Sequence, residues 1–515
     1  MQPQEFTPPV VGALNRATRK NVRGSTLLTI GRVLAVGVNF LTHVLIVRYL
    51  AQADYGALAF ALSAVSMGSS VAVFGMNKTM ARFLPIYEER GQYDQLFGGL
   101  ALGLGIMLAL SLSMVLLFYG LRGALDQFLI ESDLALAVLT IKILMVPIQT
   151  FDSALIGLFA IFANARLIFW RRHVVTPLLG LGAVFLVIWI RGDVIFLAVA
   201  SVVVGSVGML IYGVVLVGVL RRRGLFAHLH LRRVRVPARE MLGFSLPLLS
   251  TDVVFILRGS LLVILLGSLS GSMEVALFGA VAPIANQNML VLDSFRLLFM
   301  PAAARLYARD DGRGIDDLYW QTAVWVAIFT LPILLISVSL AAPLAVFLFG
   351  DEYRNSGTVL AILAIGYYVN AAFGFNGLTL RVFGRVRYLV TVDVATAIIG
   401  VAAAVPLIMM FGAVGAAAGV TLILVAQNTL YQLGLRQGTS VSAFAKRYLR
   451  VYLGIPVAAA IPLLIQAFSD PPLWFGVGIA AVVALAFFVI NREFLRIGEM
   501  FPELARIPFI RWLIG

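Results

Sequence analysis

Cysteine is absent from the 515 residues, which excludes disulfides, thiolate metal sites and cysteine nucleophiles. Histidine occurs four times, as His43, His173, His228 and His230, and none of these falls at an HExxH or comparable ligand spacing. Charge is scarce: 12% of residues are Asp, Glu, Lys or Arg, against 61% hydrophobic residues and a mean hydropathy of +0.97. Such values exclude the soluble classes. Acidic residues are the scarcer kind, 25 against 39 basic ones, giving a net charge of +14. That excess is dealt out in small groups between apolar runs, so it excludes a nucleic-acid partner and reads as topology and contact with anionic membrane lipids. Residues 1–20 hold no short apolar core before a small-residue cleavage site, so an uncleaved first span is expected to target the chain.

What is present is about fourteen apolar stretches, each long enough to cross roughly 30 Å of hydrocarbon as a helix. Barrel strands are excluded because the runs are too long and too uniform. The expected fold is therefore an all-α polytopic membrane protein. Lys and Arg gather at alternate ends of the stretches, as the positive-inside rule requires. Arg16, Arg19, Lys20 and Arg23 place the N-terminus inside, and Arg492, Arg496, Arg506 and Arg511 place the C-terminus on the same side. Outward turns are short and acidic, as at Asp54, Asp193, Asp351 with Glu352, and Asp470.

The longest inward connection carries Arg221-Arg222-Arg223, Arg232-Arg233, Arg235 and Arg239, and divides the chain into two halves of six spans. The expected organisation is a cytoplasmic segment over 1–24, a first lobe over 25–220, a basic linker over 221–240 and a second lobe over 241–436. Two further spans over 437–490 and a basic amphipathic tail over 491–515, laid along the inner membrane face, complete it. The halves resemble each other in order. Tyr55-Gly-Ala-Leu-Ala-Phe-Ala-Leu stands against Glu274-Val-Ala-Leu-Phe-Gly-Ala-Val, and Arg82-Phe-Leu-Pro-Ile-Tyr against Pro301-Ala-Ala-Ala-Arg-Leu-Tyr. Repeats of six share one orientation and are related by an axis along the membrane normal, enclosing a midplane cavity.

Charges inside the spans mark where function should lie, because each is expensive to keep in lipid. Four basic ones are Arg32, Lys142, Arg258 and Arg296, with Arg48 near the outer mouth. Arg32, Asn39 and His43 fall with Thr29 on one stripe of the first span, which should face the bundle interior; the bland reading is a hydrogen-bond network between helices. Lys142, Gln149 and Ser153 share a face of the fourth span beside Asp152. Asp252 and Arg258 of the seventh point apart, so each needs a partner elsewhere. In the eighth, Asn286 and Asp293 share a face, and Asp293–Arg296 has the spacing of an intrahelical ion pair. Asp393 lies where snorkelling to the interface competes with any buried role. Asn288 and Asn370 add neutral polar groups. The set is mostly cationic, and arginine forks suit phosphate oxygens. Asp152, Asp252 and Asp293 are expected to partner the arginines or relay ions. Asp310-Asp311 and Asp316-Asp317 have the look of a Mg²⁺-holding cluster but lie in a loop rich in Arg and Gly, and read better as a solvated hinge. No metal and no bound cofactor are expected; coupling to a proton or sodium gradient or to the membrane potential stays open.

The chain resembles the Wzx-type polysaccharide flippases of the multidrug/oligosaccharidyl-lipid/polysaccharide exporter superfamily. The resemblance rests on Leu348-Phe-Gly-Asp-Glu-Tyr-Arg354, Gly384-Arg-Val-Arg387, Phe411-Gly-Ala-Val-Gly-Ala-Ala417 and Pro301 to Tyr319 in the second half. In the first half it rests on Val47-Arg48-Tyr-Leu and Asp54-Tyr-Gly56. It runs from about Asn21 to Ile490, and departs at Ala276, where the matching turn often has Gly. The resemblance implies two lobes alternating between inward-open and outward-open states, and a substrate of oligosaccharide on a polyprenyl diphosphate. It also implies neighbouring polymerase and assembly proteins, and a place in the cytoplasmic membrane for making cell-surface polysaccharide. Similar flippases of lipid-linked peptidoglycan precursors use their last two helices to form a groove for the polyprenyl tail, here Val451–Ile490.

On this reading Arg32, Lys142, Arg258, Arg296 and Arg48 meet the diphosphate, and Asn39, His43, Gln149, Asn286, Asn288 and Asn370 meet the sugar. The rival is a cation-coupled exporter of small drugs on the same fold, which requires carboxylates rather than arginines to dominate. A sugar-porter-type carrier would show Gly-xxx-Asp-Arg between spans two and three, where Gly75-Met-Asn-Lys-Thr-Met-Ala-Arg82 stands instead. An enzyme that joins lipid-linked sugars needs a substantial outward loop, which the sequence does not offer.

Overall fold

The computed structural model describes residues 31–128, 132–162, 165–246, 256, 259–442 and 444–495. These are almost wholly helical, with no strand among the described residues. Twelve of the described helices are long and apolar enough to cross a membrane. The expected spans map onto them, with two mergers. Residues 386–438 carry spans eleven and twelve, divided at Gly412. Ser260–Ala285 carries the end of the seventh span and the start of the eighth, divided at Gly271. The middle of the expected seventh span, with Asp252 and Arg258, lies outside the described residues, as do Thr29 and the tail beyond residue 495.

The first half comprises α1 (Gly31–Tyr49), α2 (Gln52–Val73), α3 (Met76–Glu89), α4 (Tyr93–Phe128), α5 (Asp133–Lys142), α6 (Met145–Phe162), α7 (Thr176–Trp189) and α8 (Val194–Arg222). The second comprises α9 (Ser260–Ala285), α10 (Asn288–Ala308), α11 (Gly312–Ser339), α12 (Ala341–Phe349), α13 (Ser356–Ala372), α14 (Asn376–Val382) and α15 (Val386–Gly438). The two C-terminal spans are α16 (Leu449–Ser469) and α17 (Leu473–Ile490).

Local chemistry sets the ends. Asp193 accepts from Phe196 N at 2.8 Å and caps α8, Ser132 accepts from Ala135 N at 3.3 Å and caps α5, and Asp311 accepts from Gly314 N at 2.8 Å and caps α11. Each satisfies an amide that the helix itself leaves unpaired. Asp193, expected as an acidic outward turn, thus serves as a helix cap.

The residues divide into two compact units, one within Met1–Leu50 and Ala64–Val253, the other within Ala51–Ser63 and Val254–Gly515. In the first, α3, α4, α6 and α8 enclose a core of Met76, Leu84, Met107, Phe159 and Phe162. Met241, from the helical residues 238–246 after the linker, is fully buried in that core. The second is centred on α11, whose Tyr319, Trp320 and Val324 pack with Tyr368, Phe375 and Tyr448. Trp320 Nε1 donates to Ser442 Oγ at 3.0 Å, meeting the polar need of a large buried ring.

Two expected loops are not loops: Gly75–Arg82, read as the connection between spans two and three, is helical from Met76 as part of α3. Residues 169–175, read from sequence as the connection into a fifth span beginning at Val174, form a π-helical segment continuous with α7. The cause is Arg171, whose buried guanidinium is held by Asp152 of α6 and lies 4.5 Å from the ring centre of Tyr212. A wide turn of this kind re-aims a side chain within a helix.

Candidate functional site

Among the described residues, four spans are broken in mid-course. The second breaks between α2 and α3 at Phe74 and Gly75, both with positive φ. The fourth breaks at Ile143–Leu144, the eighth at Asn286–Gln287, and the tenth at Phe373–Phe375 around Gly374, φ 67°. Spans two and four of the first half thus answer to eight and ten of the second, as a parallel repeat predicts. Interrupted helices at matching positions are the structural mark of a transport site, because irregular backbone survives at membrane depth only inside protein or along a wet cavity.

A break frees backbone carbonyls, and side chains meet several of them. The Ser245 hydroxyl donates to the carbonyl of Phe74. The Tyr319 hydroxyl lies 2.6 Å from the carbonyl of Phe373 and 2.7 Å from Gln432 Oε1, and Tyr452 of α16 donates to the carbonyl of Ala372 at 2.8 Å. Those hydroxyls keep the broken segments from exposing unpaired groups.

Neutral polar groups gather around the breaks. In the first unit, Ser69 of α2 donates to Gln149 Oε1 at 3.3 Å, and Asn77 of α3 donates to Ser153 Oγ at 3.0 Å. In the second unit, Asn428 donates to Asn370 Oδ1 at 2.9 Å and accepts from Asn376 Nδ2 at 3.0 Å. Asn370 Nδ2 lies 3.5 Å from the Met289 sulfur. Asn288, the first residue after the break in span eight, is 0% exposed, and neither amide atom has a hydrogen-bond partner among the described residues. Asn77 stands just after the equivalent break, with its Oδ1 also buried and without a hydrogen-bond partner among the described residues.

The sequence-predicted residues are distributed as follows. Arg32, Asn39 and Arg48 lie on exposed faces of α1, and His43 is half-buried. Lys142 is buried and donates to Ser201 Oγ of α8. The break at 143–144 parts it from Gln149, so the single face expected for Lys142, Gln149 and Ser153 is corrected to two helices with separate partners. The equivalent break parts Asn286, the exposed C-terminal cap of α9, from Asp293 on α10. Arg296 and Asp293 form the expected i,i+3 pair at 4.0 Å. Asp393 does not snorkel: it accepts from Gln427 Nε2 and from the Tyr431 hydroxyl, both buried. Residues missed from sequence are Arg171, Asn77, Asn428 and Gln432. A run of Gln427, Asn428, Tyr431 and Gln432 at helical spacing in an apolar span was the available signal.

The acidic cluster, expected in a solvated hinge, instead caps and opens α11, with Asp316 and Asp317 on its first turns, and is engaged by protein. Asp316 accepts from Ser442 N and Oγ, both at 2.8 Å, and Asp317 pairs with Arg447 at 2.5 Å. With Asp311 capping α11, these carboxylates tie α11 to the segment before α16.

Helices α16 and α17 enclose an apolar groove of about 300 Å³, lined by Val457, Ala458, Ile461, Val483 and Phe487, with Arg450 and Asn491 at one end. Arg450 pairs with Glu493 at 3.3 Å.

Polytopic helices with matched mid-span breaks and neutral polar centres define a membrane carrier. A family model described as "Polysaccharide biosynthesis protein" matches residues 21–295, more than half of the 515, and the chain belongs to that family. Among solved structures, "Lipid II flippase MurJ, inward closed conformation" has 12% identity and a TM-score of 0.69, the match covering 93% of this chain and 100% of that one. An inward-facing multidrug resistance MATE family transporter of the MOP superfamily has 13% identity and a TM-score of 0.63, covering 78% and 93%. An outward-facing one has 15% identity and a TM-score of 0.54, covering 81% and 94%. The fold is that of these carriers, and the resemblance read from the residues holds. Comparison with curated proteins finds no match.

Proposed function

We propose that the chain is a flippase that carries polyprenyl-diphosphate-linked oligosaccharide across the cytoplasmic membrane by alternating access, for cell-surface polysaccharide. Both termini lie on the cytoplasmic side. The observation that carries this reading is the state of the membrane carboxylates. Asp152 is taken by Arg171, Asp293 faces Arg296, and Asp393 is held by Gln427 and Tyr431. Lys142, by contrast, has a neutral hydroxyl as its hydrogen-bond partner. A cation-coupled drug exporter needs carboxylates to receive its cargo; among the described residues these three are engaged by protein, and the balance of charge favours an anionic headgroup.

In this reading Arg32, Lys142 and Arg258 hold the diphosphate, with Arg48 and Arg296 along its path. The amides and imidazole of Asn39, His43, Gln149, Asn286, Asn288 and Asn370 meet the sugars. The groove between α16 and α17 takes the polyprenyl tail, which never leaves apolar surroundings while the headgroup crosses.

The test uses proteoliposomes of the purified protein with a fluorescent polyprenyl-diphosphate oligosaccharide, following access of the headgroup to an external quencher. Wild-type protein moves the headgroup, and Arg32→Ala or Arg258→Ala stops it without loss of folded protein. Normal movement in both variants would sink the cationic site. Absence of movement, with export of a cationic dye under a proton or sodium gradient, would favour the drug exporter.

A further inference from the structure

A second apolar groove lies in the first unit, between α6 and α8, with a volume of about 630 Å³. Its floor is made by what is missing. Gly213 and Gly218 of α8 line it, and a Cβ built at either meets nothing within 4 Å. Phe151 and Leu155 of α6 form one wall. On the other, Leu210 and Val214 are 63% and 73% exposed.

The groove has a polar end. It runs along α8 from Met209 to Arg221, about 18 Å at 1.5 Å per residue. That is close to half of the roughly 30 Å hydrocarbon core, the depth of one leaflet. Arg221 is exposed and forms no ion pair or hydrogen bond among the described residues, whereas Arg223 nearby is paired with Glu88 at 3.2 Å. Arg222 adds a second exposed cation.

We propose that this groove is a binding site for one anionic glycerophospholipid of the cytoplasmic leaflet. Its phosphate sits on Arg221, and one acyl chain lies over Gly213 and Gly218. A guanidinium fork matches phosphate oxygens, and the apolar trough replaces lipid packing that the glycines leave unfilled. The length argues against a polyprenyl chain, which has no need to stop at mid-membrane. A second copy docked symmetrically through α8 would place Arg221 and Arg222 against their own equivalents, an unfavourable pairing of like charge. The site rests on the orientation proposed above and not on the transported substrate, so binding and transport can fail separately.

The experiment is native mass spectrometry of the full-length protein after detergent removal of endogenous lipid, with add-back of phosphatidylglycerol, phosphatidylcholine or polyprenyl phosphate. The wild type should retain one phosphatidylglycerol about fivefold more strongly than phosphatidylcholine, the value of one surface arginine. Arg221→Gln should erase that preference. Gly213→Leu with Gly218→Leu should abolish the adduct while leaving the melting temperature near wild type, because open space receives both side chains. Arg450→Gln, at the groove assigned to the polyprenyl tail, should leave it intact. Full phosphatidylglycerol retention in both the Arg221 and the double glycine variants would overturn the proposal. So would polyprenyl phosphate displacing phosphatidylglycerol from the wild type at equal concentration, or a dimer that the glycine substitutions abolish.

Discussion

Asp152 and Arg171 form an asymmetric ion pair: the guanidinium side chain is 2% exposed and the carboxylate side chain 41%. The π-helical segment brings Arg171 to α6, where Phe159 and Tyr212 cover its face. The asymmetry fixes which partner matters more. Asp152→Ala strands a buried cation, a loss of about 3 kcal/mol, the lower end for a buried pair because one side is partly screened. Arg171→Leu leaves a carboxylate with an open side, at about half that loss. Thermal unfolding in detergent should show the larger drop for Asp152→Ala; equal drops would mean that the pair is symmetric.

Tyr319→Phe removes the hydroxyl whose one proton lies within reach of the freed carbonyl of Phe373 and of Gln432 Oε1. The ring still fills its fully buried place, so the effect is confined to hydrogen bonding, about 1–3 kcal/mol for stranding buried acceptors. The check is a melting temperature below that of wild type, with faster hydrogen exchange at residues 372–377. Unchanged exchange there would separate Tyr319 from the integrity of the break.

Asn288→Leu should part stability from transport. A buried amide with no hydrogen-bond partner among the described residues costs free energy, and an apolar group of similar shape is neutral or stabilising by about 1–2 kcal/mol. The melting temperature should hold or rise while flipping in proteoliposomes falls at least about tenfold, as expected for a group needed in passage rather than in folding. Full transport by this variant would remove Asn288 from the sugar path.

Glu274 of α9 accepts from Ala413 N at 2.6 Å, just beyond Gly412, where φ is 53° and ψ −127°. The carboxylate caps the limb that begins there. Glu274→Ala should cost about 1–2 kcal/mol, and Glu274→Gln, which keeps an acceptor, less than half of that. Equal losses in a detergent melt would point to charge rather than hydrogen bonding as the cause.

The spans were legible because apolar length and the placement of Lys and Arg are local properties of the chain. So was the repeat, through Tyr55 to Leu62 and Glu274 to Val281. The breaks were not. Asn286–Gln287 sits inside a hydrophobic run whose hydropathy does not register a change of backbone direction, and Phe74–Gly75 stands where the sequence ends the second apolar run, although residues 76–89 continue as helix. Lys142 was legible as a membrane charge, yet its partner Ser201 lies 59 residues away. Arg171 was hidden for a different reason: beside Arg172 and after a polar stretch it looks like one more topology signal, and only Asp152 and Tyr212 together draw it into the core. Asp393 was left undecided likewise, since the Gln427 and Tyr431 that hold it belong to the returning limb of α15.

Ser245 lies beyond the basic linker, yet its hydroxyl meets the carbonyl of Phe74 in span two, and Met241 fills the core around α3 and α4. As the chain emerges from the ribosome, the first six spans therefore wait, incomplete, for the start of the seventh. The break in span two stays open until about 170 further residues have been made, several seconds or more at translation rates of about 5–20 residues per second. A chain severed within 221–240 would give a first fragment lacking its last piece, whereas one severed beyond residue 246 would carry everything needed to close.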